Sequence, residues 1–437
     1  MLGLASRDFR LLIVFAIAIL TMPIWMAPLH GNVEFYKLTA IFGIFAIGFN
    51  LLFGLTGYLS FGHAALFGVG SVAGFWSLKL ITMSAYPAIL VGGAAGALLA
   101  LVMGFLCLRR SGIYFSILTL AFTIMVYEFA NRQSRLTGGD DSLSITGSRI
   151  EAQVWSPAQG MFVPDRDENG ASRMVWESPM VIDRLLGHED ATPKVNFGIL
   201  MEKPTDDEEA APEYRAISLR RDSDLLKLEY DLQLVDAKSG GFFNRVIGFL
   251  QHGKIHYQVF PFFACLLLIL AFYISIRVTR SPFGLMLRAV KTNQTRMGYT
   301  GLQPKRYTLA AFVISGAYAG VAGSLMALST NGSTALRMVW GTSGEVVIMT
   351  ILGGVGSLVG PVLGAGVVEY LKDVLTQINF TGDGIFVFIG NMFFGQTWLL
   401  TVGLVFMLVV IFLPGGLIGL PKKIMALVRR EGKGDKS

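Results

Sequence analysis

Apolar runs of about twenty residues recur along this chain, separated by short stretches rich in glycine, proline or charge. A helix needs about 20 such residues to cross the hydrocarbon core of a bilayer, so each run predicts a membrane-spanning helix. Five lie at residues 9–29, 35–55, 61–81, 85–108 and 112–131. Runs 256–276 and 307–330 bracket a loop at 277–306, and 397–413 closes the series. The run 345–370 is interrupted at Gly353-Gly354-Val355-Gly356-Ser357, which reads as two short crossings that meet at the break. About ten spans follow. A single tilted crossing plus a re-entrant segment at 385–394 is the alternative, and it upsets the parity of crossings unless that segment spans fully.

The membrane pattern stops between residues 136 and 255. There Leu226, Leu228, Tyr230, Leu232 and Leu234 alternate with polar residues, the period of a strand. Residues 161–163 and 174–176 flank Glu168-Asn169-Gly170, a hairpin-turn signal. The acidic run at 206–209 reads as a solvated loop. The predicted fold is therefore an all-α polytopic membrane protein carrying a small β-rich or partly disordered insert. Its parts are a membrane domain at 1–135, the insert at 136–255, a second membrane part at 256–421 and a basic tail at 422–437.

Composition sharpens the class. Of 437 residues 53% are apolar and mean hydropathy is +0.57, more apolar surface than a soluble domain can hide. The first run is longer than a signal-peptide core and no small-x-small cleavage site follows it, so it reads as a retained span. Charge then orients the chain. Residues 151–240 hold 19 acids against 10 bases, a balance of about −9, while the whole chain is +6. Between Asp236 and Glu345 there are no acids and eleven bases, seven of them in loop 277–306. Basic loops stay cytoplasmic. That rule puts loop 277–306 and both termini inside, through Arg7 and Arg10, Arg109 and Arg110, and the basic tail. The acidic insert then lies outside.

Candidate chemistry is sparse. The glycine-rich 353–360 lacks the Lys-Ser/Thr pair of a phosphate-binding loop, so ATP hydrolysis by that route is excluded. The five histidines are scattered, and no nucleophile and base pair can be argued; an enzyme is not expected. Cys107 and Cys265 sit apart within apolar runs and read as inert buried thiols rather than a disulfide or a metal site. No metal and no nucleic acid is expected. Charges within spans are Glu128, Glu345 and Glu369, with Lys37 and Lys79 near span ends. An intramembrane carboxylate is a functional candidate by default, and Glu345 is the foremost. Asn50, Ser60, His63 and Ser357 are the other pathway candidates; each could equally be a satisfied interhelical hydrogen-bond partner. Small residues four apart, at Gly70/Gly74, Gly92/Gly96, Gly316/Gly320 and Gly360/Gly364, permit close helix packing, either generic or in a bundle that slides.

Several longer motifs go further. Gly54-Leu-Thr-Gly-Tyr-Leu-Ser-Phe-Gly-His-Ala-Ala-Leu-Phe-Gly-Val-Gly70 resembles the signature of LivM-type permease subunits of branched-chain amino acid ABC importers. The resemblance continues, in order, at Arg109-Arg-Ser-Gly-Ile-Tyr-Phe-Ser-Ile-Leu-Thr-Leu-Ala-Phe122, Ser281-Pro-Phe-Gly-Leu-Met-Leu-Arg-Ala-Val290 and Tyr307-Thr-Leu-Ala-Ala-Phe-Val-Ile-Ser315. It extends through Ala319-Gly-Val-Ala-Gly323, Ile351-Leu-Gly-Gly-Val-Gly-Ser-Leu-Val-Gly-Pro361 and Phe412-Leu-Pro-Gly-Gly-Leu417. It implies an importer of the inner membrane with two permease subunits, one of them LivH-like, two cytoplasmic ATPases carrying ATP and magnesium, and a periplasmic binding protein. It also implies that the basic loop holds the short helix that docks into an ATPase. Arg288, Lys291 and Arg296 would then present cations, and Asn293 and Gln294 hydrogen bonds, over a surface ending at Gly301.

Two features depart from the family pattern. Its loop usually carries acids where this chain has Thr292, Gln294 and Gly298, and its stretch after the fifth span is much shorter. The family's glycine- and acid-containing stretch there is matched only loosely by Gly138-Gly-Asp-Asp-Ser142. Branched-chain or related small amino acids are the expected substrates, with urea, short amides and aromatic acids as alternatives. An ion-coupled transporter, or a membrane-anchored display protein working through its insert, are the readings from other classes.

Overall fold

The computed structural model describes residues 6–22, 26, 33–80, 85–139, 143–144, 149–151, 153–156, 161–164, 174–176, 197–201, 214–218, 260–330, 332–377, 398–413 and 415–419. Helices dominate. In chain order they are α1 (Ser6–Leu20), α2 (Val33–Thr56), α3 (His63–Leu80), α4 (Ala85–Cys107), α5 (Ile113–Arg132) and the single turn α6 (Ser134–Thr137). After the insert come α7 (Phe260–Arg280), α8 (Pro282–Thr292), α9 (Gln294–Tyr299), α10 (Pro304–Thr330), α11 (Trp340–Gly353), α12 (Gly360–Gln377) and α13 (Trp398–Phe412). Within α2, α4, α5, α7 and α10 lie five stretches long and apolar enough to cross a membrane; α3 and α13 are shorter apolar helices. The run expected at 345–370 is indeed divided, into α11 and α12 on either side of residues 354–359. The alternative re-entrant segment at 385–394 lies outside the described residues, as does the alternating stretch around Tyr230.

Helix α2 is the hub. From Ala40 to Phe49 every side chain is buried, among α7, α10, α11 and α12. Helix α10 packs against α3 and α4 as well. Lipid tails are as apolar as leucine, so packing rather than water exclusion holds such helices together, and glycine sets how closely they approach. Three of the four small-residue pairs meet at one place. A Cβ on Gly320 would lie 2.2 Å from the carbonyl oxygen of Gly92, and one on Gly96 would lie 2.4 Å from that of Gly316. One on Gly70 would lie 2.4 Å from the Cα of Gly320. The fourth pair, Gly360/Gly364, brings α12 equally close to Gly353 and Met349 of α11. Helix α1 is fastened to α7 by stacking of Phe15 on Phe272 at 3.9 Å and by the Asp8–Arg280 ion pair at 2.8 Å. Large apolar side chains on the outer faces of α4, α5 and α13, among them Leu98, Phe105, Phe129 and Met407, are exposed. That suits lipid or another membrane helix.

Within the insert the described segments are strand pairs. Met161–Pro164 and Met174–Trp176 are both strands (β4 and β5), but they do not form a hairpin with each other as the turn signal at Asn169-Gly170 suggested. β4 pairs instead with β3 (Gln153–Ser156), and β5 with β2 (Arg149–Glu151). Only four residues, Pro157 and Gly160 among them, separate Ser156 from Met161 in sequence, against nine between Pro164 and Met174. Short loops dominate hairpins, so that connection wins. β6 (Phe197–Met201) pairs with β7 (Tyr214–Ser218). The acidic run at 206–209 lies outside the described residues. At the edge of the helical domain β1 (Leu143–Ser144) pairs with β8 (Gly332–Ser333), which joins the chain after α6 to the chain after α10.

Candidate functional site

Two helices begin inside the bundle rather than at its ends. The first is α3. Helix α2 stops at Thr56, Gly57 takes a positive φ of 78°, and residues 57–62 run without helix up to His63. Irregular backbone is tolerated at membrane depth only if each polar group finds a partner in the protein. Hydroxyls on α5 supply them. Ser116 donates to Leu59 O at 2.6 Å, Thr119 accepts from Phe61 N at 3.1 Å, and Thr123 donates to Phe61 O at 3.0 Å. Thr123 stands ten residues into α5, so about 15 Å along it at 1.5 Å per residue, half a bilayer core.

The second is α11. From β8 the chain passes through a 3-10 turn, Ala335–Met338, packed on Val69 and Val72 of α3 and on Val126 and Ala130 of α5. A Cβ on Gly68 would meet Met338 Cγ at 2.1 Å, so glycine there lets this segment pack closely along α3. Helix α11 then starts beside the start of α3. Its Ser343 accepts from Ala64 N at 2.7 Å and donates to Phe61 O at 2.7 Å, capping α3 from another helix. From this junction the two helices run to opposite ends. α3 follows α10 toward the β1–β8 end, with Gly70 at Gly320 and Gly74 at Ser324. α11 runs toward α8 and α9 and ends at Gly353, just before Gly356 meets Asn50 in the break.

The pathway candidates from the sequence fall at or near this axis. Ser60 is buried and accepts from Gly62 N at 3.1 Å. His63 is fully buried among Phe45, Phe49 and Phe312; its Nε2 lies 2.6 Å from Ser315 Oγ, which donates to Gly48 O at 2.6 Å. The imidazole thus joins α2, α3 and α10 in one hydrogen-bonded chain. Asn50 spends its whole amide on the break between α11 and α12: Nδ2 donates to Ser357 O at 2.8 Å, and Oδ1 accepts from Gly356 N at 2.9 Å. Ser357 turns the break, donating to Gly354 O at 2.7 Å and accepting from Gly360 N at 3.0 Å. Glu345 is not at the junction. It is half-buried on α11, within electrostatic range of Lys372 and of the buried Glu369 on α12. Ser116, Thr119, Thr123 and Ser343 escaped the sequence reading, although three hydroxyls at i, i+3 and i+7 on an apolar helix were the visible signal. Among the described residues no cluster of three potential metal ligands occurs.

The basic loop is two short helices. Ser281 caps α8 by accepting from Gly284 N, with Pro282 at the first position. Leu287 and Val290 face inward; Leu285, Arg288 and Lys291 face out. Asn293 ends α8 and caps α9, its Oδ1 accepting from Arg296 N at 2.9 Å. Arg277 and Arg280, counted in the loop from sequence, belong to the last turn of α7, where cations complement the helix dipole. Of the five side chains expected to present themselves to a partner, all but the half-buried Gln294 are exposed. Three are engaged within the chain. Asn293 is the cap, Lys291 Nζ donates to Gly54 O at 3.0 Å, and Gln294 Nε2 donates to Tyr58 OH at 3.0 Å. Orphan carbonyls at the end of α2 recruit the lysine, because a helix C-terminus attracts a cation. Gly301 is exposed, with φ 80°. Beside it opens a groove lined by Phe283, Gln303, Arg306 and Tyr307.

Comparison with known proteins bears on the whole of this framework. The profile of a family described as the permease component of branched-chain amino acid transport systems matches residues 33–413. The high-affinity branched-chain amino acid permease protein LivM of Escherichia coli is 24% identical over 97% of this chain and 79% of its own length. Its counterpart in Salmonella typhimurium is 24% identical over 93% of this chain and 75% of its own. A guanosine ABC transporter permease of Bacillus subtilis, NupP, is 33% identical over 22% of this chain and 27% of its own. No solved structure matches.

Proposed function

We propose, for a chain that belongs to the family of branched-chain amino acid transport permease components, that it is a membrane permease subunit of an ATP-driven importer for branched-chain or related small amino acids. The observation that carries the proposal is the pair α3 and α11, which start side by side within the bundle, the α11 hydroxyl of Ser343 capping α3. Discontinuous helices of this kind concentrate substrate sites in transporters and let one part rock against another. The chain supplies path and motion but no phosphate-binding loop, so ATP and magnesium belong to two separate cytoplasmic ATPase subunits. A LivH-like second permease and an external binding protein complete the assembly. In this arrangement about ten crossings place both termini and α8–α9 inside and the insert outside.

Arg288 and Arg296, exposed on α8 and α9, are the cations offered to the ATPase. No acid accompanies them in the loop, so the receiving groove is rich in carboxylates and docking weakens with salt. The insert modifies docking of the binding protein or covers the entrance; deletion of residues 152–238 should therefore alter uptake or binding-protein affinity.

The test is reconstitution of the complex with its ATPases, second permease and binding protein in proteoliposomes. Leucine uptake should require ATP and persist after the proton gradient is collapsed. Uptake that dies with the gradient would establish an ion-coupled transporter instead. ATP-dependent uptake of urea, short amides, aromatic acids or, as NupP's name suggests, a nucleoside in place of leucine would keep the mechanism and change the substrate.

A further inference from the structure

The break between α11 and α12 turns on glycines and receives side-chain hydrogen bonds from Asn50 of α2. Gly354 and Gly356 have φ of 118° and 79°, conformations that side-chain-bearing residues rarely adopt. The break packs tightly: a Cβ on Gly416 would lie 2.5 Å from Gly354 N, and one on Gly353 would clash with Gly360 O. Asn50 of α2 supplies both a donor and an acceptor to Gly356 and Ser357. One turn later, a Cβ on Gly54 would lie 3.0 Å from Gly356 Cα, so the two backbones touch. The same short stretch of α2 also receives α8 and α9, through Lys291 to Gly54 O and Gln294 to the hydroxyl of Tyr58. Residues 50–58 therefore carry the basic helices on one side and the glycine hinge on the other.

What lies beyond the hinge gives this contact its consequence. Helix α11 has 14 residues, a rod about 21 Å long. Its far end holds Ser343, the cap of α3 at the mid-depth junction. A rod pivoting on glycines moves its far end when its near end is displaced. We propose that Asn50 and Lys291 are positioning residues that transmit movement of α8–α9 through the 354–359 hinge and along α11 to the junction of α3 and α11. The relay rests on the reading of this chain as the permease of an ATP-driven importer. It differs from docking itself: Lys291 and Asn50 act inside the chain, and neither needs to touch an ATPase.

The experiment is uptake of leucine per ATP hydrolysed, in proteoliposomes holding the full complex. Lys291→Met keeps the apolar stem of an exposed side chain and removes the ammonium contact to Gly54. Asn50→Asp keeps the acceptor for Gly356 N and loses the donor to Ser357 O; Asn50→Ala loses both. Uptake per ATP should fall about tenfold in Lys291→Met and Asn50→Ala, less in Asn50→Asp, and the double variant should fall no further than Asn50→Ala. Uptake and hydrolysis falling in proportion, multiplying losses in the double variant, or an unchanged ratio in Lys291→Met would each overturn the relay. Should Asn50→Ala not assemble, Asn50→Asp and Lys291→Met decide the matter alone. A wild-type complex that needs no ATP would instead overturn the importer reading, and the relay with it.

Discussion

Gly320 sits where three helices touch, and Gly320→Ala measures how much that contact is worth. A methyl there would lie 2.2 Å from Gly92 O, 3.0 Å from Gly92 C and 3.1 Å from the Cα of Gly93. Ordinary contact begins near 3.4 Å, so α4 and α10 must part by about 1.2 Å. The obstacle is backbone and cannot rotate away. Parting the helices also loosens the contacts of Gly96 with Gly316 and of Gly70 with Gly320, where α3, α4 and α10 approach backbone to backbone. Overpacking of this kind costs about 1–3 kcal/mol. Against it stands only the gain of alanine over glycine in a helix, at most about 1 kcal/mol. The control is Gly403→Ala on α13, where an added methyl meets nothing within 4 Å. Thermal unfolding of the purified complex in detergent should show Gly320→Ala clearly lowered and Gly403→Ala unchanged or raised. If both variants melt together, glycine contact at this crossing does not hold the bundle and the packing account fails.

Three further outcomes follow from the same geometry. Ser343→Ala leaves Ala64 N without its buried partner, while Phe61 O keeps Thr123; the variant should lose about 1–3 kcal/mol in thermal unfolding, and Ser343→Thr much less. Arg288→Glu and Arg296→Glu change exposed positions, so stability should hold within about 0.5 kcal/mol while co-purification of the ATPase is lost; retained ATPase binding in both would show that docking lies elsewhere. Glu369 is 2% exposed, and its Oε1 has no partner among the described residues, so Glu369→Gln should melt no lower than wild type and still transport leucine. Loss of uptake with stability intact would instead place Glu369 in the transport path.

Much of the framework was legible from local pattern. Apolar runs located α2, α4, α5, α10 and α13 to within a few residues, because crossing a bilayer demands a length of uninterrupted apolar helix whatever surrounds it. Glycine spacing at 70/74, 92/96, 316/320 and 360/364 marked positions that do lie in helix contacts, since close approach excludes a side chain. Gly353-Gly354-Val355-Gly356 announced the divided run for a similar reason: glycines such as Gly354 and Gly356 can take the positive φ that ends a helix. The motif containing Ser60 and His63 covers the irregular stretch between α2 and α3. Its partners did not show.

Those partners are distant in sequence. Phe61 takes Thr119 across 58 positions and Ser343 across 282, and Asn50 reaches Gly356 across 306. No local period encodes such a pairing; it exists because irregular backbone inside a bundle must be satisfied by whichever hydroxyl or amide the packing brings near. The same logic explains why Lys291 and Gln294, polar and on a basic loop, are engaged with Gly54 and Tyr58 even though Lys291 is exposed. Residue type told which stretches are long and apolar enough to cross a membrane, where helices approach and which loop carries cations. Which polar group serves which partner was settled by three-dimensional proximity, since a hydrogen bond acts over about 3 Å in space with no regard for distance along the chain.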